Sequence, residues 1–131
     1  MPWPGNTYTI QVKGSGEVIA TWVGQVYVRG PAGIMKETTH WLCVEANGYF
    51  GFFNKYTNKY LSFQDDLVPT DRMQATSTFG SSQLFLPRRH PEGGYQLLVP
   101  ASNNTLKQVA TLNDGETLIT RLHAGVIWEF I

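Results

Sequence analysis

Side chains able to do chemistry are few in this 131-residue chain, and their spacing limits what they can do. His40, His90 and His123 fall late in successive thirds of the sequence, a placement that would suit a metal on a threefold axis, since imidazole is a common zinc ligand. Their offsets from the neighbouring apolar runs differ: His40 abuts Trp41, His90 trails Leu84, and His123 stands well before Trp128. Unequal offsets put the rings at different heights, so no metal and no other cofactor is expected. Asp65-Asp66 is the acidic pair, and paired carboxylates can do acid–base work, coordinate calcium or accept sugar hydroxyls. Adjacent loop residues point apart, which favours a solvated loop over a catalytic dyad. Arg88-Arg89-His90 could grip a carboxylate or phosphate, and it also suits a solvated connection ahead of Pro91. No G-x-S-x-G elbow occurs, and Gly14-Ser15-Gly16 lacks the following Lys-Ser/Thr and helix of a phosphate loop, so it reads as a hairpin turn.

The aromatics say more. Four Trp and six Tyr occur in the chain, and Trp3, Trp22, Tyr27, Tyr56 and Tyr60 follow no repeat. Non-repeating rings beside polar loops build binding surfaces, because a ring offers flat area at low entropic cost. In a sugar site the ring stacks on the C–H face while amides and carboxylates take the hydroxyls. Asn54, Tyr56, Asn58, Lys59 and Tyr60, with Asp65 and Asp66, match that arrangement best.

Elements that could hold such residues repeat three times. Tyr8-Thr9-Ile10-Gln11-Val12, Tyr49-Phe50-Gly51-Phe52-Phe53 and Tyr95-Gln96-Leu97-Leu98-Val99 share a tyrosine-led alternation, each preceded by turn residues. A second set, Trp41-Leu42-Cys43-Val44, Leu84-Phe85-Leu86-Pro87 and Trp128-Glu129-Phe130-Ile131, closes each unit. Units of about 8–48, 49–94 and 95–131 follow, in one domain. Thirteen glycines and seven prolines punctuate short apolar runs, the pattern of an all-β barrel or sandwich. In unit one the expected strands are Tyr8–Val12, Glu17–Trp22, Gln25–Arg29 and Thr39–Glu45. Unit two has Tyr49–Phe53, Lys59–Gln64, then a polar Asp65–Thr70 loop, Arg72–Thr76 and Gln83–Leu86. Unit three has Tyr95–Val99, Thr105–Thr111, the hairpin turn Asn113-Asp114-Gly115, Glu116–Arg121 and Val126–Ile131. Tyr8, Tyr49 and Tyr95 should share one inward face, and the first strand of each unit should pair with the last strand of the unit before it.

Formal net charge is +0, which builds no basic field for nucleic acid and gives no support to an anionic membrane partner. No apolar stretch approaches a membrane span, and Met1-Pro2-Trp3-Pro4-Gly5 lacks the basic and apolar regions of a signal peptide. The single Cys43 forms no intrachain disulfide and sits in an apolar run, which suits a buried inert thiol and a reducing, cytoplasmic setting.

With these residues in place, the chain resembles the β-trefoil proteins over essentially its whole length. The resemblance implies twelve strands in three pseudo-symmetric units, six forming a barrel and six a triangular hairpin cap. Asn58-Lys59-Tyr60-Leu61-Ser62 resembles the GKYLS stretch of fascin-like repeats. The Arg88–Tyr95 segment and the terminal Trp128-Glu129-Phe130 resemble small fungal trefoils of the fascin/ricin-B-like type, many of them lectins. The ricin-type Q-x-W motif is missing, because Thr39, Ser82 and Val126 hold the glutamine positions. The sugar-binding acid after the second-strand Leu is replaced by Ser62 and Lys107. Fold therefore transfers more firmly than any particular sugar site. The resemblance implies a binding protein rather than a catalyst, with a glycan or other small ligand, or a protein partner, as its target. The alternatives are a fascin-like actin bundler, a protease inhibitor, or an enzyme with His40, Asp65, Arg88, His90 or His123 around an enclosed aromatic cavity.

Overall fold

A computed structural model describes residues 1–22, 25–30, 35–46, 48–63, 67–71, 84–100, 105–112, 114–122 and 125–131. Alternating apolar residues form the short strands β1 (Thr7–Tyr8), β2 (Ile10–Val12), β3 (Val18–Trp22), β4 (Gln25–Arg29), β5 (Trp41–Ala46), β6 (Tyr49–Asn54) and β7 (Lys59–Phe63). They continue as β8 (Leu67–Asp71), β9 (Leu86–Arg89), β10 (Tyr95–Pro100), β11 (Leu106–Thr111), β12 (Leu118–Arg121) and β13 (Ile127–Phe130). Counting β1 and β2, which are interrupted at Thr9, as one strand leaves twelve among the described residues.

Pairing closes a ring. The first strand bends at Thr9, so that β1 pairs with β5 while β2 pairs with β13. From there β13 pairs with β10, β10 with β9, and β5 with β6. The bridge Phe50↔Phe85 joins β6 to the strand containing β9 and completes a six-stranded barrel. Closure leaves these strands without the unpaired edges that invite aggregation. The hairpins β3–β4, β7–β8 and β11–β12 lie outside the ring, and β4, β8 and β12 touch one another, forming the cap. The last strand of each unit pairs with the first strand of the next, as the repeat predicts.

Two expectations are corrected. Tyr49 is not the counterpart of Tyr8 and Tyr95. Tyr8 faces Trp41, Tyr95 faces Trp128, and in unit two Phe50 faces Phe85. Ile10, Phe52 and Leu97, all buried, then form the next layer, facing Phe130, Cys43 and Pro87. Tyr49 pairs instead with Ala46 at the start of the β5–β6 hairpin, and Phe85, not Leu84, takes the Trp41/Trp128 place. The slip arises because Tyr49–Phe53 is aromatic on both faces, while the preceding turns differ in length: Ala46 pairs with Tyr49, but Arg89 with Tyr95. The second correction concerns β8, which occupies Leu67–Asp71 where a loop was expected, pairing Phe63↔Leu67 and Lys59↔Asp71. Pro69 lacks an N–H, and β8 is an edge of its sheet, where that absence is tolerated. The expected strand at 72–76 lies outside the described residues.

The core repeats too. The Trp41 indole N–H donates to the Ile19 carbonyl at 3.0 Å, and that of Trp128 donates to Val109 O at 3.4 Å. Both indoles are fully buried, and each hydrogen bond runs to the second strand of its own unit. Phe85 fills the third place with no donor to satisfy. Phe130 sits centrally, stacked on Phe52 at 5.6 Å and met edge-on by Tyr8 and Tyr95. At the β9–β10 turn Gly94 adopts φ 77, and any side chain there would crowd Ile127 and Trp128.

Cys43 belongs to this core. Burial pushes its thiol up from the usual 9.0 to about 12, with the Glu45 charge adding to the effect. The thiol therefore stays protonated and unreactive. A thiol-specific reagent at pH 8 should leave it unlabelled in the folded protein and label it fully in denaturant; prompt labelling of the folded chain would contradict this burial. Because the folded value lies above the unfolded one, the thiol's contribution to stability is complete below pH 9 and is lost as pH climbs toward 12.

Candidate functional site

One open groove of about 330 Å³ gathers polar and aromatic side chains: Thr7, Glu37, His40, Leu42, Lys55 and Tyr56. Its floor comes from β-pairing, since Thr7 on β1 lies opposite Leu42 on β5, and Leu42 lies opposite Phe53 on β6. One wall is a single 3₁₀ turn over Lys36–Thr39, ending at His40. Its threonines bond back to the turn, Thr38 Oγ1 donating to Met35 O at 2.6 Å and Thr39 Oγ1 to Lys36 O at 2.7 Å. Thr39 thus belongs to this turn and not to the strand expected at Thr39–Glu45.

The other wall is the β6–β7 turn carrying Lys55 and Tyr56. Asn58 holds it at φ 64, the left-handed conformation asparagine tolerates, and its N–H donates to Asn54 O at 2.8 Å. Asn54 ties the two walls together. Its Nδ2 donates to Glu37 O at 3.1 Å and His40 O at 3.3 Å, while its Oδ1 accepts from the Thr57 N–H at 3.0 Å and Thr57 Oγ1 at 3.3 Å. The residue is 0% exposed. A buried amide with partners on both ends is a strut, not a group waiting for ligand.

Tyr56 is 54% exposed. Its hydroxyl lies 4.0 Å from Met35 Sδ beyond the opposite wall, so the ring leans across the groove. His40, Glu37 and Lys55 are exposed beside it. The arrangement offers a flat ring, N–H donors from His40 and Lys55, and an acceptor from Glu37.

Of the residues singled out in the sequence, Tyr56 and His40 meet in this groove. Asn54 stands behind it. Asn58 is exposed in the turn, Lys59 lies on β7, and the Tyr60 ring packs 4.9 Å from Phe53. Arg88 sits on β9, where its Nε donates to Gln96 Oε1 at 2.8 Å, and His90 opens the following turn, its Nδ1 accepting from the Glu92 N–H at 3.2 Å. These two do not join His40. Asp65, Asp66 and His123 lie outside the described residues. Among the described residues, no three His, Cys, Asp or Glu side chains come close enough to hold a metal ion. Thr7, Glu37, Leu42 and Lys55 were not singled out. The polar Lys36–His40 tract ahead of an apolar strand was the available signal.

No family model matches the sequence, and no curated protein matches it. Solved structures do. The Macrolepiota procera ricin B-like lectin in complex with lactose superposes with a TM-score of 0.77 at 12% identity, over 99% of this chain and 97% of that one. SeviL bound to asialo-GM1 saccharide gives 0.70 at 18% identity, over 95% of each chain. The fold is a β-trefoil. A GlcNAcα1-4Gal-releasing endo-β-galactosidase from Clostridium perfringens contains the same trefoil, with a TM-score of 0.79 at 13% identity, and the present chain spans 32% of its length. Within the trefoil, the groove lies where unit one ends and the first hairpin of unit two begins. The equivalent turn of unit one, Lys13-Gly14-Ser15-Gly16, carries no aromatic, and neither does the Pro100–Asn104 segment of unit three. The Tyr56 ring therefore has no sequence counterpart in the other two units.

Proposed function

We propose that the chain is a carbohydrate-binding protein whose site is the groove under Tyr56. The observation that carries the reading is an exposed aromatic ring leaning over an open groove that also presents Glu37, His40 and Lys55. Sugars are amphipathic discs: one face is C–H and suits a tyrosine ring, while the rim of hydroxyls needs both donors and acceptors. The volume falls near the lower end of ~300–1,000 Å³ small-ligand sites, which suits a short saccharide. Likeness to a lactose-bound lectin supports the reading by analogy of fold. Asn58, Lys59 and Tyr60, beside the Tyr56 turn, would serve as its outer margin, and a reducing, cytoplasmic setting fits the unpaired Cys43.

A glycan array followed by calorimetric titration of the best ligand tests this. Tyr56→Ala should weaken that ligand about tenfold, the ~1–1.5 kcal/mol scale of a stacking contact, while leaving the melting temperature unchanged because the ring is half exposed. Tyr56→Phe should keep most of the affinity. An array with no signal above background would overturn the proposal, and undiminished binding by Tyr56→Ala would remove the site from this groove.

A further inference from the structure

We propose that Arg88 anchors a second site, separate from the groove, that takes a carboxylate or sulfate group carried by an acidic saccharide. The oxyanion chemistry stands on the geometry below, whereas its arrival on a saccharide rests on the reading just given. Arg88 on β9 lies directly opposite Gln96 on β10, and Gln108 on β11 lies directly opposite Arg121 on β12. Gln96 Nε2 donates to Gln108 Oε1 at 3.2 Å, which links the two pairs into one polar row across four strands.

The direction of every bond in this row follows from one fact: a guanidinium can only donate. Arg88 Nε therefore takes Gln96 Oε1, which turns the Gln96 NH₂ toward Gln108, which must answer with its own Oε1. Gln108 is in turn held from above by Gly125, where an added Cβ would overlap the Gln108 amide. A glycine beside Gln108 thus seats the first amide, and that amide orients the second, which holds the guanidinium. Most exposed arginines sweep through many rotamers and lose that freedom when they bind. Here part of that ordering is already present in the fold, and with no partner among the described residues the two terminal nitrogens can grip an oxyanion in the two-pronged manner guanidinium favours.

Such a guanidinium ordinarily has a carboxylate partner, and among the described residues none lies within 4.0 Å of Arg88. Among the described residues the ion pair within 4.0 Å joins Arg29 to Glu116, on other strands. Arg88 is exposed, and Arg121 at the far end of the row adds a second positive charge on the same face. No residue of the row lines the Tyr56 groove. A saccharide suits this surface better than an acidic peptide does, because the amides between the two arginines offer hydroxyl partners and the row itself contributes no aromatic anchor of the kind protein interfaces use.

The test is an NMR titration of the ¹⁵N-labelled full chain, following the arginine Nε–Hε signals at constant ionic strength, with Arg88 assigned by its absence in Arg88→Lys. Inorganic sulfate, a sulfated disaccharide, its desulfated form, a uronic-acid disaccharide and a short acidic peptide are the ligands. The Arg88 signal should shift saturably with sulfate, with the sulfated sugar and with the uronic acid, but not with the desulfated sugar. The sulfated sugar should bind at least about fivefold more weakly to Gln96→Leu, which leaves Arg88 charged but unheld, and to Arg88→Lys, which keeps a charge without the fork. Tyr56→Ala should leave these titrations unaltered, so that failure of the groove and failure of this site are read separately. Equal, non-saturating drift of all arginine signals would overturn the site, as would full affinity in both variants. Saturable binding of an acidic peptide with none of the acidic sugars would overturn the saccharide assignment.

Discussion

Replacing Asn54 with alanine should lower stability by about 3 kcal/mol and abolish glycan binding, although the residue is sealed from any ligand. Its amide satisfies the carbonyls of Glu37 and His40 on one wall of the groove and the N–H and hydroxyl of Thr57 on the other. Alanine leaves those part-buried groups without their partner, and each unmet buried polar group costs about 1–3 kcal/mol. For a chain of this size the loss corresponds to a melting temperature lower by about 10 °C. With the strut gone, the 3₁₀ turn and the β6–β7 turn are no longer held at one separation, and Tyr56 no longer leans over a defined floor. Asn54→Asp sharpens the test. It keeps the acceptor for Thr57 but faces two carbonyl oxygens with a carboxylate. Burial and those oxygens raise its pKa, so this variant should gain stability relative to wild type as pH falls and the acid becomes a donor. Thermal melts at pH 7 and pH 4 measure both effects. An Asn54→Ala chain that melts within about 2 °C of wild type would show that the strut is dispensable.

Trp128→Ala should be the most damaging single truncation, at about 3–5 kcal/mol, a large share of the ~5–15 kcal/mol that holds a domain together. Trp128 is 0% exposed and pairs with both Val12 and Tyr95, so its removal opens a cavity where the first and third units meet. Trp128→Phe separates packing from hydrogen bonding. Unit two already uses Phe85 at the equivalent place, which shows that a phenyl ring fits the layer. Phenylalanine would keep most of the volume but remove the indole donor from the Val109 carbonyl, which still accepts from the Val126 N–H at 3.3 Å, costing about 1 kcal/mol. Urea unfolding monitored by circular dichroism gives both values. The order Ala below Phe below wild type is expected, and a Phe variant as unstable as the Ala variant would mean the hydrogen bond outweighs the packing.

Much of the architecture was legible because barrel strands write their pairing into alternation. Ile10 stands between Thr9 and Gln11, so its inward face could be chosen from the residues alone. Tyr49-Phe50-Gly51-Phe52-Phe53 is apolar on both faces, and alternation cannot select one. Pairing of Phe50 with Phe85 makes that choice, across 35 residues of chain. Leu84-Phe85-Leu86 was misaligned for the same reason. Of the groove, Tyr56 could be found because a ring that breaks a repeat has no symmetric core role to explain it. Asn54 was seen as a candidate for the same site, yet its role was hidden, since its partners lie 14 and 17 residues earlier in a turn whose position depends on β5 and β6 pairing.

By itself the sequence determined a threefold all-β chain with paired closing and opening strands, a buried thiol and an aromatic loop without counterpart in the other units. Tertiary structure decided which aromatic faces inward in unit two, that Asn54 braces walls instead of meeting ligand, and that Arg88 is held by Gln96, which Gln108 orients in turn. The division has a physical cause. Alternation and turn chemistry are local and survive in a linear string, whereas hydrogen bonds between side chains and distant backbone depend on where the closed barrel brings separate strands.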